Sequence, residues 1–228
     1  MVREQLNPRV RLNDYVYQAL KENIMSQKLA PGERLHLEQL AEGLEVSMTP
    51  LKNALNQLAS DGLVEIIPRH GFYVTNPSPE KIAESFEVRC ALEIYAVQLV
   101  IERASETELQ EIVKIVDRLE ELAQAPDLGA VYQQYVELDR VMHHRFVELS
   151  GNQAFLMAYD REHTHVNIAR ERYGGFEDEL DKAQAEHRAW IQAMLDKDIP
   201  RSQKILAKHI NRAKNSLLRE MNNHSPYS

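Results

Sequence analysis

Four side chains in the second half of this 228-residue chain are of types that bind metal ions, at spacings that would let them meet. Asp139 and His143 stand four apart. On a helix they lie about 40° apart around the axis and about one turn apart along it, so both can reach one ion. His144 points about 100° away and is not an equivalent choice. His187 and His209 come much later, each beside apolar residues that would face inward: Trp190, Ile191 and Met194 for the first, Ile205, Leu206 and Ile210 for the second. One carboxylate and three imidazoles from three helices would make a mononuclear site for a borderline divalent metal. The chain holds nine histidines, however, and an Asp/His pair four apart arises easily by chance. Spacing alone therefore leaves satisfied core or surface histidines as the competing reading.

A second kind of chemistry lies upstream. The stretch VSMTPLKNALNQLASDGLVEIIPRHGFYV, Val46 to Val74, reads as a short helix followed by a two-stranded hairpin. Ser47 is a good N-cap, and Pro50 falls in the first turn, where its missing N–H is one the helix would leave unpaired. Leu51, Ala54, Leu55 and Leu58 recur on one buried face, and Met48, Thr49, Lys52, Asn53 and Gln57 fall on the other. Asp61-Gly62 ends the helix. Leu63 to Ile67 reads as a strand, Pro68 to Gly71 as the turn and Phe72 to Val74 as the return strand. Upstream, Leu37 to Leu44 is a short amphipathic helix separated from Ser47 by Glu45-Val46, the tight spacing of a helix-turn-helix. Such a pair lays its second helix in the major groove of DNA.

Around these two centres the chain supplies elements to position them. Residues 1–11 read as an arm with Arg3, Arg9 and Arg11, either phosphate-touching or frayed. Asn13 to Ser26 forms a supporting first helix. Asn76-Pro77-Ser78-Pro79 is a linker, with Ser78 and Pro79 doubling as N-cap and first residue of the next helix. Residues 1–76 therefore form a winged helix-turn-helix domain, and 77–228 an all-helical domain. The helices of the second run from Pro79 to about Arg103, from the capping box Ser105 to Glu108 to about Ala125, and from Leu128 to Ser150. They continue from Gln153 to about Arg172, from Glu177 to about Leu195, and from Arg201 to about Met221. The class is mainly α, a bundle of six or seven helices behind a winged head.

Composition narrows the function. Net charge is -8, with 8 Lys+Arg against 9 Asp+Glu in the first 76 residues and 19 against 26 in the rest. The chain does not coat nucleic acid nonspecifically, and a near-neutral head implies two heads per DNA site and hence a homodimer. Cys90 is the only cysteine, no apolar run approaches bilayer length, and the first residues lack an apolar signal segment. The expectation is a cytoplasmic protein with no membrane partner.

The head resembles the GntR family of bacterial transcription regulators. The resemblance rests on Pro31-Gly32, Leu35, Leu40-Ala41, Leu44, Val46-Ser47, Thr49-Pro50, Ala54-Leu55, Leu58, Gly62-Leu63-Val64 and Gly71 to Val74. The family's two recognition-helix arginines are Met48 and Lys52 here, and the glutamate after the second is Asn53, so no guanidinium is present to grip guanine in two places. The second domain is similar to the FCD ligand-binding domain of the FadR branch. That likeness rests on Asp139-x-x-x-His143, Ser150-Gly151-Asn152, Glu186-His187 and His209, and on Arg89-x-x-Leu92-Glu93.

The resemblance implies a DNA-binding transcription regulator, not an enzyme. Its metal ligands would be Asp139, His143, His187 and His209, holding zinc first, with nickel, manganese or iron also compatible. Its effector would be a small carboxylate metabolite. Arg89 would meet that anion or merely pair with Glu93. DNA contacts would come from Ser47, Met48, Thr49, Lys52 and Asn53, and from Arg69, His70 and Gly71 at the wing. Two alternatives compete: a regulator for which the metal itself is the signal, and a metal-dependent hydrolase. Against the second, no general base or oxyanion donor can be placed from sequence. Asn152 reads as a helix cap ahead of a ligand, His163 and His165 as solvated helix residues ahead of pocket-lining ones, and Tyr95, Tyr132, Tyr135 and Tyr159 as core or dimer contacts.

Overall fold

The computed structural model describes residues 8–174 and 179–223 of the chain. The head comprises α1 (Pro8–Met25), α2 (Leu37–Gly43), α3 (Met48–Ser60), β1 (Val64–Ile67) and β2 (Gly71–Val74). α1 begins five residues before the expected start, because Pro8 can open a helix that the apolar periodicity does not announce. Arg9 and Arg11 thus lie in its first turns, their side chains outside the description, and Arg3 lies outside the described residues. Glu45, at φ 54°, makes the sharp turn between α2 and α3. Ser47 adopts the extended N-cap conformation before α3, although its side chain makes no capping bond. Leu51, Ala54, Leu55 and Leu58 are buried as their spacing requires, and they pack with Val16, Leu20 and Ile24 of α1. The hairpin pairs Val64 with Val74 and Ile67 with Gly71, and Arg34 adds a bridge to Tyr73.

The bundle consists of α4 (Pro79–Arg103), α5 (Glu106–Ala123), α6 (Leu128–Leu149), α7 (Gln153–Tyr173), α8 (Leu180–Leu195) and α9 (Ile199–Asn223). Local chemistry sets most of its boundaries. The Ser78 hydroxyl accepts from the Lys81 N–H, and Ser105 and Glu108 form a reciprocal capping box. Asp127 caps α6 through the Ala130 N–H. Asn152 caps α7 by accepting from the N–H groups of Ala154 and Phe155, the role its sequence context suggests. Pro200 lies inside the first turn of α9 instead of preceding it, where a missing N–H costs no intrahelical bond. The expected start of α8 at Glu177 lies outside the described residues.

One apolar core joins the helices of the bundle and a second fills the head, and the second also takes in Ile168 from α7. Among the described residues no helix is long and apolar enough to cross a membrane. The head core yields a direct test. Leu55 is fully buried, so Leu55→Ala should destabilise the protein by about 2–5 kcal/mol in urea unfolding. The exposed neighbour Gln57→Ala should change stability by less than about 0.5 kcal/mol.

Candidate metal centre and DNA-reading surface

The inward face of α6 runs Tyr132, Tyr135, Asp139, Met142, His143 and Phe146, all buried. α8 brings in His187 beside Trp190 and Ile191, and α9 brings in His209 beside Leu206 and Ile210. Asp139, His143, His187 and His209 therefore meet, all four buried, with ligand atoms within 4.8 Å of one another. His143 Nε2 and His187 Nε2 each lie 3.3 Å from His209 Nε2. Asp139 Oδ1 lies 3.3 Å from His187 Nε2 and 3.8 Å from His143 Nε2. An ion bonded at about 2.0–2.1 Å to four tetrahedral ligands would space them at about 3.3 Å, so the set fits a divalent metal.

The outer nitrogens of the three rings sharpen this. His143 Nδ1 is 2.6 Å from Glu93 Oε2. A carboxylate can only accept, so Nδ1 carries a proton. His187 Nδ1 faces Gln184 Oε1 at 3.3 Å, and the Gln184 amide is oriented by donating to the Val116 carbonyl at 2.7 Å. His209 Nδ1 lies 3.3 Å from Glu186 Oε2. In the tautomer that places each proton on Nδ1, the three Nε2 atoms turn their lone pairs toward one another and toward Asp139 Oδ1. Burial holds His187 below the usual imidazole range and, with His187 and His143 nearby, takes His209 down to about 3. A shared proton is thus disfavoured, and the set is complementary to a cation.

Burial raises the Glu93 carboxyl, but His143 and Arg89 outweigh it and bring it from 4.5 to about 2. Burial likewise opposes ionisation of Asp139, whose carboxyl nonetheless stays well below its usual value through the bond with His187 and the Arg170 charge. Glu186 falls to about 2, its desolvation outweighed by hydrogen bonds from His209 and Arg212.

Arg89 is fully buried and its Nε donates to Glu93 Oε1 at 2.5 Å. It therefore buttresses the carboxylate that holds His143, and it does not line the cavity beside Asp139. That cavity, about 40 Å3, is bounded by Tyr132, Tyr135, Arg170, Arg212 and Ser216 together with Asp139 and His209. Arg170 Nη1 donates to Asp139 Oδ2 at 2.9 Å, and Arg212 donates to Glu186 and Glu179 at 2.8 and 2.9 Å. Sequence reasoning missed Arg170, Arg212, Gln184 and Glu186 as site residues. Only Glu186, adjacent to His187, carried a signal. His144 turns away to Asp160, at 3.2 Å.

His163 and His165 are corrected from solvated to buried. The first stacks on Tyr159 and the second lies against the head, because the face of α7 that carries each is covered. Tyr132, Tyr135 and Tyr159 are core residues, whereas Tyr95 is exposed and meets Phe155 edge-on.

In the head, Ser47, Thr49, Lys52 and Asn53 are exposed along the outer side of α3, and Met48 is half-buried against the core. Arg69 and His70 stand exposed at the hairpin tip, followed by half-buried Gly71. Arg69 takes φ 67° and Gly71 φ 108°.

Residues 12–74 match the bacterial regulatory proteins of the gntR family, and residues 84–212 match the FCD domain. The chain therefore belongs to the GntR family of bacterial regulatory proteins, in the FadR-like branch that carries an FCD domain. It is 35% identical over 136 residues to the uncharacterized HTH-type transcriptional regulator YdhC of Bacillus subtilis (strain 168). That match covers 60% of this chain and 59% of that protein, about three fifths of the relative's length. The fold is that of E. coli McbR/YncC, with a TM-score of 0.74 at 22% identity over 91% of this chain and 97% of that one. It is also similar to the metal-free FCD domain of the regulator TM0439, with a TM-score of 0.53 at 18% identity over 65% of this chain and 99% of that one. The family is one of transcription regulators, not enzymes, which removes the hydrolase alternative.

The depressed carboxylates give a pH test. A group lowered from 4.5 to about 2 adds stability that is complete above 4.5 and is lost as pH falls through 2. The melting temperature of chelator-treated protein should drop across that window. Glu93→Gln should make the drop shallower, and an unchanged slope would mean that the Glu93 contacts contribute nothing.

Proposed function

We propose that the protein is a homodimeric, operator-binding transcription regulator whose bundle holds a divalent metal at Asp139, His143, His187 and His209 and responds to a small carboxylate there. The observation that carries this reading is the meeting of three ring nitrogens and one carboxylate oxygen, all four residues buried and these atoms within 4.8 Å of one another. Three nitrogens and one oxygen favour zinc, with nickel, manganese and iron compatible. When bound, the ion would supply a positive centre and an open coordination position for an oxygen of the effector. Glu93, Gln184 and Glu186 orient the three rings, a supporting role that typically changes metal affinity by about 10–100-fold.

The cavity beside Asp139 supports the effector part, since Arg170 and Arg212 offer guanidinium donors to an anion. On this reading Arg170, not Arg89, faces the ligand. The small size of the cavity favours a second reading. At about 40 Å3 it has room for roughly three waters, which suits an ion and its waters and makes the metal itself the signal.

The division of labour places DNA reading in residues 1–76 and sensing and dimerisation in 77–228, joined through Asn76 to Pro79. In the groove, Ser47, Met48, Thr49, Lys52 and Asn53 would meet bases and phosphates, with Arg69, His70 and Gly71 at the wing. Lys52 is the only cation on the outer face of α3, so recognition relies less on paired contacts to guanine and more on two heads acting together.

Native mass spectrometry of the purified protein should show a dimer carrying one divalent ion per chain. Asp139→Ala should lose that ion, with an affinity loss beyond the roughly 100-fold of a supporting residue. Retention of the ion by that variant would refute the ligand set. Operator fragments selected from genomic DNA should bind Lys52→Ala about tenfold more weakly. Titrating operator affinity against the metal, with and without small carboxylates, separates the two signals.

A further inference from the structure

α7 stands between the four-ligand cluster and the head, and its two faces serve different neighbours. His165, Ile168 and Arg172, spaced i, i+3 and i+7, share one face. On that face His165 packs so closely on Gly62 that a side-chain carbon there would come within 3.0 Å of its Nε2. Ile168 is buried in the apolar core of the head, and Arg172 Nη1 donates to Asn76 Oδ1 at 2.8 Å. Tyr159, His163, Val166 and Arg170 lie on the other face, toward the bundle interior. There Arg170 grips Asp139 Oδ2, while Oδ1 of the same carboxylate is turned to the imidazoles. Elsewhere head and bundle are parted by a groove of about 920 Å3, with Tyr17, Lys21 and Asp61 on one wall and Arg140, Arg161 and Asn167 on the other.

We propose that α7 relays the state of the Asp139 site to the DNA-reading head, with Arg170 as its sensor and the His165–Gly62 and Ile168 contacts as its output. The inference rests on the metal reading above and adds its route. One carboxylate serves two clients. When Asp139 Oδ1 is shared with a cation, less negative charge is left on Oδ2, and the guanidinium also meets a new positive neighbour. The hold of Arg170 weakens, and α7 is freed to settle differently against α6. Any such shift is felt two residues away at Ile168 and five residues away at His165. Gly62 directly follows Asp61, the C-cap of α3. Asp61 is itself held by the Tyr17 hydroxyl at 2.7 Å, so movement of His165 acts on the end of the recognition helix.

The test is hydrogen exchange on the full chain with chelator or with Zn2+ alone, beside a calorimetric Zn2+ titration. Zn2+ should alter exchange in α6, α8 and α9, and also at residues 60–64 of the head, by about threefold or more. Ile168→Ala and His165→Ala, neither of which touches the cluster, should bind Zn2+ as the unaltered chain does and keep the bundle response. Both should lose the response at residues 60–64. A bundle response with none in the head would overturn the relay and leave the metal reading intact. Head responses that persist in both variants would equally overturn it. No Zn2+ uptake in the titration would remove the metal reading and the relay together.

Discussion

The organising constraint of the bundle is that three imidazole nitrogens and one carboxylate oxygen occupy the same small buried space. Polar groups so deeply buried are costly unless a partner meets them. The surrounding helices are built to hold that arrangement. Each ring is faced from behind by an acceptor, Glu93 from α4 and Gln184 and Glu186 from α8. Those carboxylates are in turn matched by Arg89 and Arg212. Buried ions in such a lattice are costly to strip one at a time, because the partner left behind has no solvent to turn to. On the proposed reading the centre is thus arranged for a cation before any ligand enters.

The head is organised on the opposite principle. Its apolar side is closed by α1 and the hairpin, and its working side is left bare. With one lysine along the outer surface of α3 and one arginine at the hairpin tip, its attraction for phosphate is weak. On the proposed reading recognition then leans on the pose of the head, which meets the bundle through α7 and the short proline linker. A head held by few contacts is easily re-posed by a small change in the bundle.

Much of this was legible in the chain itself. The helix-turn-helix spacing, the wing and the caps at Ser78, Ser105 and Asn152 follow from local rules that act over three or four residues. The meeting of the four side chains was also readable, because Asp139 and His143 share a helix face and His187 and His209 sit in apolar runs. The support around them was not. Arg170 meets Asp139 across 31 positions of sequence and Gln184 meets Val116 across 68, and no local pattern encodes such pairings. Nor could His163 and His165 be placed. Their burial depends on a head and a bundle closing over opposite faces of one helix, and the polar residues beside them in sequence mask both faces. Arg89 illustrates the same limit: two partners were open to it, and only the packing of α4 against α6 and α7 showed which it takes.

One contact reaches beyond architecture. The single tryptophan of the chain, Trp190, stacks on the His143 ring at 5.6 Å with the planes 14° apart, and Phe146 meets it edge-on. Its indole therefore shares a π-face with one of the four converging side chains, in the buried core of the bundle. The molecule thus carries its own fluorophore beside that centre, a built-in probe whose emission can be followed without any label.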